Sequence, residues 1–171
     1  GLTDEQATLV VVDTNLCQRT KLLPSERAHA YLMQQNALKA MKVKATVSTI
    51  AEQYSESNRT IQRYISLNNL SPELMERADN EEITIRTAVT LSSLSAENQN
   101  AIEEYLAIGG KVNERCAQKI ASIIKENDDV TLTTAAEVNR LVTELMAAGM
   151  SLEEIFEAVR AEHLKKEIDE K

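Results

Sequence analysis

Arg59, Gln62, Arg63 and Ser66 fall at i, i+3, i+4 and i+7, which puts four hydrogen-bonding side chains on one face of any helix through them. Asn58 and Thr60 flank the amino-terminal end of that face. Guanidinium groups pair with O6 and N7 of guanine, and side-chain amides pair with N6 and N7 of adenine, so these are groups able to read base edges in a DNA major groove. A helix N-terminus favours phosphate as well. Lys42 and Lys44 lie upstream, placed to meet the phosphate backbone and set position rather than sequence.

Such a face needs a scaffold that holds it outward. Residues 46–67 supply one: Ala51 is small enough for two helices to cross closely, and Ile61, ten residues later, faces it. Ile50, Tyr54, Tyr64 and Ile65 complete an apolar wedge, and Ser57 is a good N-cap. The expectation is a helix-turn-helix built from short helices near 46–54 and 57–68. Its second helix, about 57–68, would enter the groove by its amino-terminal end. The expected DNA-binding residues are Lys42, Lys44, Ser57, Asn58, Arg59, Thr60, Gln62 and Arg63. Ser55 stands where such a turn often has Gly for a positive φ, a strained conformation for Ser. The same spacing also fits a helical hairpin with a solvated polar face, because charged i, i+4 pairs are ordinary surface decoration.

Composition narrows the alternatives. Hydrophobic residues make up 43% and charged residues 27% of the 171 residues, enough for a real core. Aromatics are only 3%, with no Trp and one Phe, and there are four Gly and two Pro. Sheets draw on aromatic side chains and tight turns more heavily, so the expected fold class is all-α, a multi-helix bundle containing the helix-turn-helix plus carboxy-terminal helices. Cys17 and Cys116 stand alone in their segments, and no C-x-x-C pair, Cys/His cluster or H-E-x-x-H string exists from which local spacing could build a metal site. Two free thiols in a reducing cytoplasm are expected. His29 and His163 have no nucleophile or ligand partner nearby in sequence, and Glu103-Glu104 and Glu153-Glu154 face different ways on a helix. No enzymatic activity is expected. No apolar run approaches the ~20 residues needed to span a bilayer, so a cytoplasmic, nucleoid-associated location without a membrane partner is expected.

The formal net charge is −8, which is unpromising for a nucleic-acid binder until the chain is divided. Residues 1–70 carry 8 Lys/Arg against 6 Asp/Glu, a net of +2, and residues 71–171 carry 11 against 21, a net of −10. Affinity for a polyanion depends on the field within about a Debye length of ~8–10 Å of the contact face. Lys39, Lys42, Lys44, Arg59 and Arg63 sit among 25 residues whose only acids are Glu52 and Glu56.

Local signals then mark the helices. Thr3 and Gln6 have capping-box spacing ahead of a short helix, Ala7 to Val12, with Asn15 to Leu23 expected as a polar loop. Pro24 opens a helix to about Met41, Ser71-Pro72 opens another to about Asp79, and Thr84 starts the next. Ser95 caps a helix ending at Gly109-Gly110, residues 112–126 repeat apolar positions with a helical period, and Asn127-Asp128-Asp129 reads as a turn. Thr134/Glu137 and Ser151/Glu154 are two further capping boxes, and residues 165–171 are highly charged. The expected division is 1–23, the end of an amino-terminal domain with a linker helix; 24–110, the DNA-binding domain; and 111–171, a helical extension.

Several of these strings together resemble a known family. Asn15-Leu-Cys-Gln-Arg19, Leu23-Pro24-Ser25-Glu26-Arg27-Ala28-His29-Ala30-Tyr31, Thr60-Ile61-Gln62-Arg63-Tyr64-Ile65-Ser66-Leu67 and Leu70-Ser71-Pro72-Glu73-Leu74 are similar to segments of ParB-type partition proteins (the ParB/RepB family). The resemblance spans about residues 2–108 and is nearest to variants carried on mobile elements of Gram-positive bacteria. It implies chromosome, plasmid or mobile-element segregation, a homodimer on a palindromic double-stranded DNA site, and a ParA-like ATPase as partner. It also implies a CTP- and Mg²⁺-binding amino-terminal domain in a longer parent, to which Asn15 and Arg19 would contribute. Thr14 stands where the family usually has Glu, Arg19 is one residue further along, and the phosphate-contacting Gly/Glu-Arg-Arg motif is absent. The chain is therefore expected to be truncated, with no cofactor or metal of its own. A competing expectation is a non-enzymatic helical adaptor or dimerisation module using the Leu152, Ile155, Phe156 and Val159 stripe.

Overall fold

A computed structural model describes residues 1–18, 22–126 and 130–147, and the described residues are helical, with no strand among them. They form two compact units, 1–85 and 86–171. No helix among the described residues is long and apolar enough to cross a membrane.

The first unit contains α1 (Asp4–Gln18), α2 (Pro24–Ala40), α3 (Thr46–Gln53), α4 (Asn58–Ser66), a single 3₁₀ turn (Leu67–Asn69) and α5 (Pro72–Asp79). The capping box at Thr3 forms as read from sequence: the Thr3 N–H donates to Gln6 Oε1 (3.0 Å) and the Gln6 N–H donates to Thr3 Oγ1 (3.3 Å). The helix it starts does not stop at Val12. It continues through the segment expected as a polar loop to Gln18, because no Gly or Pro interrupts that segment and polarity alone does not break a helix. Pro24 occupies the first turn of α2, where its missing N–H costs nothing, and the Leu23 N–H donates to Glu26 Oε2 at 3.0 Å. A second cap comes from α5: Asp79 accepts from the Ser25 N–H (2.9 Å) and the Ser25 hydroxyl (2.5 Å), placing a carboxylate at the positive end of α2.

In the second unit α6 (Ile85–Leu91), α7 (Ala96–Ala107), α8 (Glu114–Glu126) and α9 (Ala135–Met146) enclose a core of Ile102, Ile120, Ile123, Leu132 and Leu141. Ser95 caps α7, and the Thr134–Glu137 capping box opens α9. Asn98 is a buried polar strut, accepting from the Leu132 N–H at 2.7 Å and donating to Ser95 Oγ at 2.8 Å. Cys116 is a free, buried thiol whose pKa burial pushes up, which makes it a poor nucleophile. The expected turn at 127–129 and the helix expected from Ser151 lie outside the described residues.

Four helices end in the same way. At the ends of α2, α3, α5 and α7 a residue adopts positive φ: Lys42 (58°), Ser55 (54°), Glu81 (60°) and Gly109 (91°). Each is followed by an N–H that reaches back to the last full turn: Val43 to Leu38 O, Glu56 to Ala51 O, Glu82 to Arg77 O and Gly110 to Tyr105 O. These are Schellman closures, which satisfy carbonyls the helix cannot. Only one uses glycine. Lys42, Ser55 and Glu81 hold a conformation in which Cβ crowds the carbonyl, at ~1–2 kcal/mol each.

Replacing Ser55, which is exposed, by Gly removes that crowding without removing a buried contact. Ser55→Gly is expected to stabilise the chain by about 1 kcal/mol in urea unfolding. An unchanged or lowered midpoint overturns this assignment.

Candidate nucleic-acid interface

The α3–α4 pair rests on a small apolar centre. Ile50, Ala51 and Ile61 are at most 4% exposed, and Tyr31 and Leu38 of α2 complete the cluster. Val43, Val47, Tyr54, Tyr64 and Ile65 pack around it, so every wedge residue read from sequence is in the core or against it. The smallness of Ala51 and the branching of Ile61 are what a close helix pair requires.

A polar belt surrounds this centre. Tyr31 sits between the rings of Tyr54 and Tyr64, with centroids at 5.7 and 6.0 Å, the latter edge-on. Its hydroxyl donates to Glu56 Oε1 at 3.2 Å, and Arg27 Nη1 stands 3.5 Å from the same oxygen. The Arg27 guanidinium also lies over the Tyr64 ring, 5.1 Å from its centroid. Glu56 therefore anchors the α3–α4 turn to α2, although its other oxygen, Oε2, is buried without a hydrogen-bond partner among the described residues. On the opposite side Gln34, 1% exposed, donates to the Tyr54 hydroxyl (2.5 Å), which donates to Asp13 Oδ1 (3.0 Å). Gln53 donates to the same Asp13 oxygen at 2.9 Å, tying α1 to α3. Asn68 donates to the carbonyls of Ala28 and Ile65, both at 2.9 Å.

With these groups turned inward, the outward face of α4 remains. Arg59 and Gln62 are exposed and Arg63 is half-buried. None of the three side chains has a hydrogen-bond or ion-pair partner among the described residues, and the same holds for exposed Lys42 and Lys44. Ser57 caps α4 as read from sequence, accepting from the Thr60 N–H at 3.0 Å. The Thr60 hydroxyl is drawn into that cap, 2.8 Å from Ser57 Oγ. Ser66 turns its hydroxyl onto the Arg63 carbonyl (2.7 Å), so it contributes least to the face. Asn58 is exposed, and its Nδ2 donates to Ser48 Oγ of α3 at 3.0 Å. Sequence reading missed Ser48 and the Glu56 anchor; a Ser at the third position of the first helix and an acid between two serines in the turn were the only signals, and neither is specific.

No group of three or more His, Cys, Asp or Glu among the described residues could hold a metal ion. Exposed His29 lines a mainly apolar cleft of about 240 Å³ with Val12, Leu16, Leu22, Glu26, Ala30 and Met33, and no Ser, Thr or Cys is among them. Arg19 and the side chain of Asn15 lie outside the described residues, as does His163.

Burial, and then the negative charge of Glu56, hold the Tyr31 phenol well above its ordinary value. A raised folded-state pKa means that Tyr31 contributes stability fully below the ordinary pKa of about 10, and that this contribution is lost as pH rises from there through the raised value. Unfolding free energy measured against pH is expected to fall above about pH 10, more steeply than in Tyr31→Phe. Parallel slopes for the two proteins overturn it.

Comparison of the chain with protein-family models, with curated proteins and with solved structures returns no match.

Proposed function

We propose that this chain binds double-stranded DNA sequence-specifically, with α3 and α4 acting as a helix-turn-helix and α4 lying in the major groove. The observation that carries the reading is the division of α4: Ile61 is fully buried, while Arg59, Gln62 and Arg63 project from the other side without intramolecular partners among the described residues. Polar side chains left unpaired on a rigid helix can exchange water for base edges without first breaking an internal bond. In this reading Arg59 and Arg63 contact guanines and Gln62 and Asn58 contact adenines. Lys42, Lys44 and the capped amino-terminal turn at Ser57 contact phosphate.

The similarity of residues 15–31 and 60–74 to ParB-type partition proteins extends the proposal. The chain would act in segregation of a chromosome, plasmid or mobile element, in the cytoplasm at the nucleoid, as a homodimer on a palindromic site. A ParA-like ATPase would be its partner.

Selection of duplexes from a random pool, followed by salt titration of binding, tests the central claim. A recovered consensus sequence is the expected result, and binding that is equal for all duplexes overturns it. On the selected duplex Arg59→Ala is expected to cost ~1–3 kcal/mol and to relax preference at one position. Lys44→Ala is expected instead to weaken binding to all duplexes alike and to reduce the salt slope by about one. A Lys44→Ala effect confined to one sequence reverses its assignment.

A further inference from the structure

Asn58 is the first residue of α4, and its side chain does not hang free. Its Nδ2 donates to Ser48 Oγ across the α3–α4 gap at 3.0 Å, and no other hydrogen bond of either side chain is present among the described residues. A side-chain amide has two N–H donors and one carbonyl acceptor. With one N–H given to Ser48, the second N–H and the carbonyl oxygen remain. Those two are what adenine requires: the carbonyl accepts from N6–H and the N–H donates to N7. Adenine pairs with the carbonyl and the N–H on the same side as it, so bidentate contact requires Ser48 to hold the other N–H, a bond that fixes the rotation of the amide plane. Its own hydroxyl hydrogen stays available for phosphate or water.

We propose that Ser48 is a specificity-determining residue that positions Asn58 for bidentate contact with one adenine. This rests on the DNA-binding reading above and adds to it a residue of α3 that acts through a residue of α4. Without the Ser48 bond, Asn58 must lose its rotamer freedom when DNA binds, and an unanchored amide turns as readily to offer its N–H groups to an acceptor as its carbonyl to a donor. Loss of Ser48 therefore lowers discrimination at one base pair and leaves the rest of the interface as it was.

The test uses the full chain and the duplex selected as above, with dissociation constants measured by fluorescence anisotropy for that duplex and for variants changed one base pair at a time. Asn58→Ala is expected to erase preference at a single A·T position, a loss of about 5- to 150-fold in discrimination. Ser48→Ala is expected to reduce preference at the same position about two- to tenfold, the effect of freeing one side chain, with the salt slope unchanged. Ser48→Thr keeps the acceptor and is expected to restore it. The double variant is expected to match Asn58→Ala alone, since the two residues act as one unit. A Ser48→Ala protein that weakens equally on every duplex, discriminates as the parent chain does, or adds its loss to that of Asn58→Ala overturns the proposal. Thermal unfolding of each variant separates these results from loss of fold. If the parent chain itself prefers no duplex, the DNA-binding reading fails, and that outcome is distinct from all of these.

Discussion

Close approach of two helices at Ala51 and Ile61 is the constraint on which the rest of the first unit depends. A side chain larger than Ala at position 51 would push α4 away from α3, and Ile61 would lose the burial that is worth ~1.5–3 kcal/mol for such a side chain. Ile61 is also what fixes the rotation of α4 about its own axis. Residues one, two and five positions away then have their directions decided for them. Arg59, Gln62 and Arg63 face outward not because charge repels the core but because the helix is pinned by its single fully buried residue. Tyr31 and Leu38 of α2 close the other side of the same centre, so α2 serves as the platform for the pair.

An apolar centre of this size is non-directional, and the polar belt around it supplies direction. Glu56 is held by the Tyr31 hydroxyl and by Arg27, which lies at once beside the carboxylate and over the Tyr64 ring. Placing a carboxylate with one oxygen unsatisfied under cover is costly, and apolar substitutes often stabilise as well as a buried ion pair does. The arrangement makes sense as a means of fixing geometry: it links the turn, α2 and α4 through bonds that have one good orientation each. The Schellman closure at Ser55 works to the same end. Its strained φ sets the exit direction from α3, and the Glu56 N–H that completes it belongs to the residue whose side chain is anchored on α2. Backbone and side chain of one residue thus define where α4 begins.

Much of this was legible in the residues, and the reasons for what was not are physical. The capping boxes at Thr3 and Thr134, the Pro24 and Ser71-Pro72 starts and the Ser57 cap depend on neighbours within four residues, so spacing reveals them. The wedge of Ile50, Ala51, Tyr54, Ile61, Tyr64 and Ile65 is equally periodic. The extent of α1 was not legible because the absence of a breaker is weaker information than the presence of one. Three of the helix ends, at Lys42, Ser55 and Glu81, carry no glycine to mark them, since their left-handed residues are held by closure bonds rather than chosen for conformational freedom. The Ser48–Asn58 and Asp79–Ser25 bonds join residues 10 and 54 positions apart, and only tertiary structure can bring such pairs together.

The charge of the chain now reads differently from its sum. Cations in the first unit divide into two kinds. Arg27 stands against Glu56 and Arg77 against Glu82, at 3.5 and 2.6 Å, and each of these ion pairs is close to neutral at the distance of a bound ligand. Lys42, Lys44, Arg59 and Arg63 have no carboxylate partner among the described residues. A polyanion approaching within a Debye length responds to the second kind, because opposite charges in contact cancel and separated ones do not. Net charge counts all of them alike. Among the described residues of the first unit, the cations without a carboxylate partner are Lys39 near the end of α2, the two lysines between α2 and α3 and the two arginines of α4, so unpaired positive charge lies on the helix whose hydrogen-bonding groups are also unspent. Coincidence of free charge with free hydrogen-bonding capacity on one helix is what the proposed DNA-binding reading rests on, and an overall acidic balance does not remove that coincidence.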